Sequence, residues 1–105
     1  MSERVMGYAV ICKDKPGEEA GRLRKELTAE HLAHIADTID NFLIAGPMLE
    51  AGETTSSLLI VKAQSEEEAL EIVNADPYAK AGIWESIEVR TFVAAAGDWV
   101  GGTTW

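Results

Sequence analysis

The chain is poor in several residue types, and each shortage excludes a class of protein. Cys12 is its one cysteine, so an internal disulfide framework is excluded and a reducing, cytoplasmic location is expected. Nine Lys and Arg stand against eighteen Asp and Glu, which gives a formal net charge of −9. Because phosphate binding requires clustered basic side chains, we expect no nucleic-acid partner.

Long hydrophobic runs are also missing. No stretch approaches the ~20 apolar residues that a membrane-spanning helix needs, so no membrane partner is expected. The apolar run at residues 6–12 is followed by the charged residues 13–15 and by Pro16 rather than by a small-residue cleavage site. We therefore interpret this run as a strand and not as a signal peptide.

Four segments have the β-branched, aromatic or apolar content of strands and are bounded by turn residues. These segments are residues 6–12, 43–49, 57–61 and 83–93. Between them, residues 17–27 are charged and compatible with a helix, and residues 28–43 carry the clearest helical spacing of apolar side chains. The positions at this spacing are Leu32, Ile35, Ala36, Ile39, Phe42 and Leu43.

Two further helix starts are visible as capping patterns. Ser65 is followed three residues later by Glu68, which is a capping box. Asp76 is followed by Pro77, which suits the first position of a short helical turn. The resulting order β-α-β-β-α-β predicts one α+β domain with a ferredoxin-like fold, in which two helices cover one face of an antiparallel sheet.

The first and third predicted strands are apolar on both faces. Residues 8–12 and 58–61 lack the alternation of a sheet with one wet face. Because two helices cover only one face, we predict a homodimer in which a second copy covers the other, sheet to sheet. The alternative is that the C-terminal tail, which carries Trp99 and Trp105, folds back over this face.

The chain has two histidines, His31 and His34, both on the predicted helix at residues 28–43. At about 100° per residue, His31 falls on the flank of the apolar face, where it can enter a half-buried pocket, and His34 falls on the wet side. The two side chains therefore point in different directions. Because no HExxH motif or Cys/His cluster supplies further ligands, no metal site is expected.

Asp76 has two interpretations. As the residue before Pro77, it can cap the helical turn by accepting backbone N–H bonds. As a carboxylate, it can also hold a histidine in one tautomer. The residues alone leave both readings open, so His31 is either half of an acid–base pair or an ordinary, partly buried histidine.

Other candidate side chains have similarly open roles. Ser57 either satisfies turn backbone or orients a substrate. Tyr78 and Trp84 are interpreted as pocket walls or core rather than as reacting groups. Cys12 lies in an apolar strand and is a poor nucleophile because burial raises the pKa of a thiol. The basic residues at 22–25 form either a solvated helix face or a positive rim that attracts an anionic small molecule.

Three segments together resemble the YciI-like (YCII-related) family. They are Ala29-Glu30-His31-Leu32-Ala33-His34, then Ala45-Gly46-Pro47-Met48, then Asp76-Pro77-Tyr78 with Ala81-Gly82-Ile83-Trp84-Glu85 behind it. The opening segment, with its Lys-Asp-Lys-Pro, also fits. The resemblance covers residues 6–93, so we assign residues 1–94 to the domain and residues 95–105 to a C-terminal tail.

The resemblance implies a dimeric α+β barrel and a His–Asp pair near a serine in a small pocket. Carried over by position, these residues are His31, Asp76 and Ser57. The family often has glycine before this serine, where the chain has Ser56.

The chain departs from the family at one charged position. Members often carry an arginine three residues before the histidine, where this chain has Thr28. Arg22 and Arg24, both on the same predicted helical stretch, are the candidates to replace it.

Some members of the family resemble lyases that eliminate chloride from a hydroxylated ring, and relatives on the wider fold isomerise lactones or oxidise small aromatics. We therefore expect a cofactor-independent lyase or isomerase in which Asp76 orients His31 as the base and Ser57 orients a small-molecule substrate. The expected substrate-binding residues are Tyr78, Trp84 and Arg24. The alternatives are a non-catalytic small-ligand-binding or assembly module, with Asp76 only a cap, and haem binding by His31, as in distant relatives.

Overall fold

The computed structural model describes residues 5–104. Its strands are β1 (Val5–Asp14), β2 (Phe42–Glu50), β3 (Glu53–Val61), β4 (Trp84–Ala94), β5 (Ala96–Gly97) and β6 (Gly102–Thr103). Its helices are α1 (Glu19–Asp37), α2 (Glu66–Asn74) and α3 (Pro77–Lys80), with 3-10 turns at Ile39–Asn41 and Asp98–Val100. No helix in this part of the chain is long and apolar enough to cross a membrane.

The four long strands form one antiparallel sheet in the order β2-β3-β1-β4. β1 is paired on both sides, with β3 and with β4. The chain order and the sheet order are those of the ferredoxin-like arrangement, which confirms the predicted α+β fold class.

The inner face of the sheet packs against the helices and carries the core. Val10 and Cys12 of β1 lie opposite Leu59 and Ser57 of β3, and all four are buried. Ser57 lies in the middle of β3 because the strand begins at Glu53, four residues before the predicted start. The polar, β-branched residues before Ser57 pair with β2 across a tight turn at residues 51–52, and apolar content alone does not reveal such a strand.

The end of the first helix differs from the prediction. α1 is one continuous helix that ends at Asp37, not at Leu43. Thr38 closes it, since its backbone N–H and its hydroxyl both donate to the carbonyl of His34. The apolar residues that follow belong to β2, where β-branched and aromatic side chains pack well on a pleated surface. Phe42 and Leu43 keep the helical spacing of apolar residues by coincidence, although α1 has already ended.

The buried stripe of α1 therefore also differs from the prediction. Leu32 and Ile39, which were expected near its centre, are 59% and 58% exposed. The inward positions recur at helical spacing and include Ala20, Leu23, Leu27 and His31. His34 is half-buried rather than on the wet side as predicted, and His31 lies on the stripe that faces the sheet.

Both predicted caps are present. The hydroxyl of Ser65 accepts from the backbone N–H of Glu68 at 3.1 Å, which starts α2. The carboxylate of Asp76 accepts from the backbone N–H of Tyr78 at 2.8 Å, which starts α3 with Pro77 at its first position. The hydrogen bond to Tyr78 fixes the buried Asp76 side chain at the start of α3, next to α1.

The tail after β4 is a small hairpin. β5 pairs with β6, and the hydroxyl of Thr104 donates to the carbonyl of Ala94 at 2.7 Å. Trp99 at its tip is 87% exposed, whereas Trp105 lies outside the described residues. An apolar cleft of about 760 Å³ opens between this hairpin and the outer side of the sheet, with Leu58 and Ile60 in its wall.

Candidate active site

His31 and Asp76 lie in contact although 45 residues separate them in the sequence. Nδ1 of His31 is 2.9 Å from Oδ1 of Asp76 and 2.8 Å from Oδ2. The Asp76 side chain is 2% exposed and that of His31 is 21% exposed. The carboxylate is therefore enclosed, and the ring reaches from it towards solvent.

Asp76 has both of the roles that its sequence position allowed. Its Oδ1 accepts from the backbone N–H of Tyr78 and lies at hydrogen-bonding distance from His31. Oδ2 also lies close to Nδ1 but forms no hydrogen bond with it, and it has no other hydrogen-bond partner within residues 5–104. The cap thus holds the carboxylate in the one place where it can also meet the histidine.

The contacts of Asp76 assign the proton on the imidazole. An ionised carboxylate only accepts hydrogen bonds, so Nδ1 of His31 must carry the hydrogen that lies between the two groups. In the neutral ring, Nε2 then has a free lone pair. Nε2 makes no hydrogen bond to any residue of the described chain, so this lone pair is available to a bound molecule.

Tyr78 fixes the plane of the histidine ring. The two rings stack with centroids 4.0 Å apart and planes 6° from parallel. The phenol hydroxyl donates to the carbonyl of Arg24 at 3.2 Å, and the edge of Trp84 meets the tyrosine ring at 6.4 Å between centroids. With Asp76 holding one edge of the imidazole and Tyr78 one face, the ring has little freedom to rotate.

Arg24, and not Arg22, reaches the site. Arg22 is on the outer side of α1, paired with Glu19 and Glu26. The guanidinium of Arg24 donates to both carboxylate oxygens of Asp14, at 2.7 and 2.8 Å, and to the hydroxyl of Ser57 at 3.0 Å. Ser57 is thereby tied to α1 from the middle of the sheet.

Sequence reasoning missed Asp14, although a signal for it was present. Asp14 shares the strand parity of Val10 and Cys12, which face the core, and it follows a bulge between residues 13 and 14. An acid at an inward position at the end of a strand requires a cationic partner, because an unpaired buried charge is costly. That partner is Arg24.

A cavity of about 250 Å³ joins these groups between α1 and the inner face of the sheet. Five of the six predicted site residues line it, and Asp76 stands behind His31. The lining residues from the prediction are Arg24, His31, Ser57, Tyr78 and Trp84. Sequence reasoning gave no role to residues 45–47 of β2, which form its opposite wall and also border the larger, apolar cleft on the outer side of the sheet.

Cys12 lies beneath this site but takes no part in its hydrogen bonds. Burial raises the pKa of its thiol to about 12, and the negative charge of Asp76 adds to the effect. The thiol stays protonated at neutral pH, in agreement with the prediction that it is a poor nucleophile. Within residues 5–104, no three His, Cys, Asp or Glu side chains come together as metal ligands would.

The solved structures that are similar to the chain include the following two. One is a 5-chloro-2-hydroxyhydroquinone dehydrochlorinase from Burkholderia phenoliruptrix AC1100, solved in complex with 2,5-dihydroxybenzoquinone; it is 29% identical, with a TM-score of 0.73 over 90% of this chain and 97% of that one. The other is an uncharacterized NIPSNAP domain protein from Burkholderia xenovorans, 16% identical, with a TM-score of 0.49 over 88% of this chain and 96% of that one. The second likeness is too distant to support a conclusion.

The family assignment comes from the sequence as a whole. No protein with a curated function matches the chain. The model of the YCII-related domain, however, matches residues 6–93, which contain every residue of the cavity described above. The chain therefore belongs to the YCII-related domain family.

Proposed function

We propose that the protein is a small-molecule enzyme that needs no cofactor and in which His31 removes a proton from the substrate. Asp76 holds the imidazole so that Nδ1 carries the hydrogen and Nε2 accepts the proton. Ser57 binds an oxygen of the substrate, and Tyr78 and Trp84 pack against its ring. A base positioned in this way contributes about 10²–10⁴-fold to the rate.

The contact between His31 and Asp76 is the observation that carries this proposal. A surface histidine would not need a buried carboxylate, a stacked aromatic ring and a cavity at its free edge. Here Nδ1 lies within 2.9 Å of a carboxylate that is almost fully buried. The other edge of the ring lines a cavity whose volume suits a single-ring compound.

The reaction class that this arrangement favours is elimination from an oxygen-bearing ring. The proton would pass from the substrate to Nε2 of His31. The electron pair of the broken C–H or O–H bond would form a new double bond, and the leaving group would depart with the electrons of its own bond. The dehydrochlorinase from Burkholderia phenoliruptrix acts on a chlorinated hydroxyhydroquinone, which supports this class over others. Isomerisation uses the same proton transfer without a leaving group.

Chloride release tests the proposal directly. The purified chain is incubated without oxygen with 5-chloro-2-hydroxyhydroquinone and with other chlorinated hydroxyaromatics and lactones, while chloride and ring products are quantified. His31→Gln should lower turnover by about 10²–10⁴-fold. His34→Gln is the matched control, since this histidine lies one turn away and does not line the cavity.

The outcome separates the enzyme from a non-catalytic module. Equal turnover in His31→Gln and in the wild type would eliminate the histidine as the base. Binding of 2,5-dihydroxybenzoquinone without turnover of any compound in the set would favour a small-ligand-binding module, in which Asp76 only caps α3.

We also propose that the functional unit is a homodimer. The outer face of the sheet carries half-buried apolar residues, including Ile11, Leu58 and Ile60, on the side turned away from the helices within residues 5–104. Charged residues are few on this face near β3, so two acidic copies can meet there without strong repulsion. A cytoplasmic location is consistent with the one buried, unpaired cysteine.

A further inference from the structure

We propose that Asp14 sets the charge of the molecules that the cavity accepts: by neutralising Arg24, it makes the site select uncharged oxygen-bearing rings over carboxylates. The inference rests on the proposed function in one respect, namely that the cavity lined by His31 is where the substrate binds. Asp14 itself does not line the cavity. It acts through Arg24 and is therefore a positioning residue.

The ion pair between Asp14 and Arg24 is bidentate, and both side chains are almost buried. The guanidinium uses two of its N–H groups on the two oxygens of one carboxylate, at 2.8 and 2.7 Å. The two side chains are 8% and 13% exposed, so neither charge is screened by bulk water. A planar, bidentate pair of this kind leaves little of the guanidinium charge for a third group.

The charges around the cavity do not favour an anion. Arg24 contributes +1 and Asp14 −1, so the pair is neutral. Asp76 contributes a further −1 when His31 is in the neutral form that accepts a proton. The site in its reactive form therefore carries a net charge of −1 by formal count, in a chain whose net charge is −9. A carboxylate or phosphate entering it would meet repulsion that the low polarity of the interior strengthens.

The uncharged hydrogen-bond donors at the cavity fit neutral oxygens. Nη1 of Arg24 also makes no hydrogen bond within residues 5–104, but the charge of that guanidinium is balanced by Asp14. Ser57 accepts from Arg24 at 3.0 Å, and no acceptor within residues 5–104 takes its own hydroxyl hydrogen. The indole N–H of Trp84 is also without a hydrogen-bond partner in the same part of the chain. Both side chains line the cavity with His31. A hydroxyl or carbonyl oxygen satisfies such neutral donors, whereas an anion prefers charged ones.

Two single-ring probes of similar size, one neutral and one anionic, test this inference by binding alone. The probes are 4-hydroxybenzyl alcohol, which is neutral, and 4-hydroxybenzoate, which is an anion at neutral pH; their affinities are measured by calorimetry or by NMR titration. The wild type should bind the alcohol at least ~10-fold more tightly. Asp14→Asn should raise the affinity for the carboxylate by at least ~10-fold, because it frees the Arg24 charge, and should change the affinity for the alcohol far less.

Two further variants show whether the effect passes through Arg24. Arg24→Gln added to Asp14→Asn should abolish the gained affinity for the carboxylate. Glu50→Gln removes one negative charge from the exposed end of β2 and should leave the preference of the wild type unchanged. A gain that persists without Arg24, or that Glu50→Gln reproduces, overturns the inference.

The affinities of the wild type for the two probes test the inference even if Asp14→Asn does not fold. A wild type that binds the carboxylate as tightly as the alcohol overturns the inference, and so does one that binds neither probe. A folded Asp14→Asn variant with no gain for the carboxylate does the same. Because none of these measurements involves turnover, a failure here leaves the proton transfer by His31 standing, and a failure of chloride release leaves the charge preference standing.

Discussion

At the scale of single residues, one carboxylate links folding to chemistry. Asp76 starts α3 by accepting from the backbone N–H of Tyr78, and it orients the imidazole of His31 through the same oxygen. The first role contributes to stability, and under the proposed function the second contributes to reactivity. They can be separated because asparagine caps a helix as well as aspartate does but cannot act as an anion.

Asp76→Asn should therefore fold and lose activity. The new amide can keep its oxygen on the N–H of Tyr78 and on Nδ1 of His31, but it has no negative charge to stabilise the imidazolium that forms when Nε2 takes up a proton. We expect turnover to fall on the order of 10²–10⁴-fold. The ¹⁵N chemical shifts of the His31 ring should show the hydrogen still on Nδ1, which separates the loss of the negative charge from the loss of the orienting hydrogen bond.

Asp76→Ala is the companion variant, since it loses the cap as well. Its free energy of unfolding should be lower than that of Asp76→Asn by about 0.5–2 kcal/mol. Full activity in Asp76→Asn would show that the carboxylate is only a cap.

A second prediction at this scale concerns Cys12. Because burial raises the pKa of its thiol to about 12, the thiolate fraction at pH 8 is on the order of 10⁻⁴. Ellman's reagent should therefore modify the folded protein very slowly and the urea-unfolded protein rapidly. Equal rates for the two states would contradict both the burial and the raised pKa.

At the scale of elements, the central strand tolerates no side chain at one position. A Cβ atom on Gly7 of β1 would lie 2.7 Å from the carbonyl oxygen of Val61 and 3.1 Å from the Leu43 side chain. Backbone cannot move aside as a flexible side chain can, so the pairing of β1 with β3 would have to shift. The glycine thus keeps the sheet in the register that places Ser57 opposite Cys12.

Gly7→Ala should lower the free energy of unfolding by about 1–3 kcal/mol, as overpacking does elsewhere. Gly21→Ala in α1 is the matched control, since nothing lies within 4 Å of its added Cβ atom. It should instead raise the free energy of unfolding by about 0.5–1 kcal/mol, because alanine favours the helix. Urea denaturation measures both, and a harmless Gly7→Ala would show that β1 and β3 are less tightly joined than described.

The sequence predicted which segments are helices and which are strands better than it predicted the residues at which they begin and end. The capping patterns at Ser65 and Asp76 are local, so the sequence contains them completely, and both were found. The end of α1 depends on a competition: Phe42 and Leu43 satisfy helical spacing, but they are also good strand residues, and pairing with β3 prevails. No pattern within the helix itself reveals that outcome.

At the scale of the whole molecule, the outer face of the sheet is apolar, whereas the inner face carries the core and the candidate site. Ile11, Leu58 and Ile60 lie on the face turned away from the helices, and the hairpin of residues 96–103 borders only part of it. The protein should therefore elute as a dimer in size-exclusion chromatography with light scattering.

Ile60→Glu should convert that dimer into monomers, because it places a charge in the middle of the apolar face. Gln64→Glu adds the same charge at an exposed position and should leave the dimer intact. A wild type that is monomeric at every concentration would contradict the proposed assembly.

The sequence predicted the residues of the candidate site that lie in recognisable motifs, and it did not predict the others. His31, Ser57 and Asp76 were singled out as candidates from the residues, and the resemblance to the family grouped them into one site. His31 and Asp76 are in contact, and Ser57 lines the same cavity as His31. Asp14 was missed because its meaning depends on Arg24, which reaches it across the fold from α1. Pairings between distant segments are set by packing, and a single sequence carries no direct record of them.

The 45-residue separation between His31 and Asp76 has a consequence for how the proposed activity would be gained and lost. Neither half of the pair can work before the sheet has assembled, since the intervening chain includes β2, β3 and α2. Catalytic competence should consequently appear and vanish together with global cooperative folding, with no partially ordered species retaining it. Turnover would then serve as a faithful reporter of the intact tertiary structure.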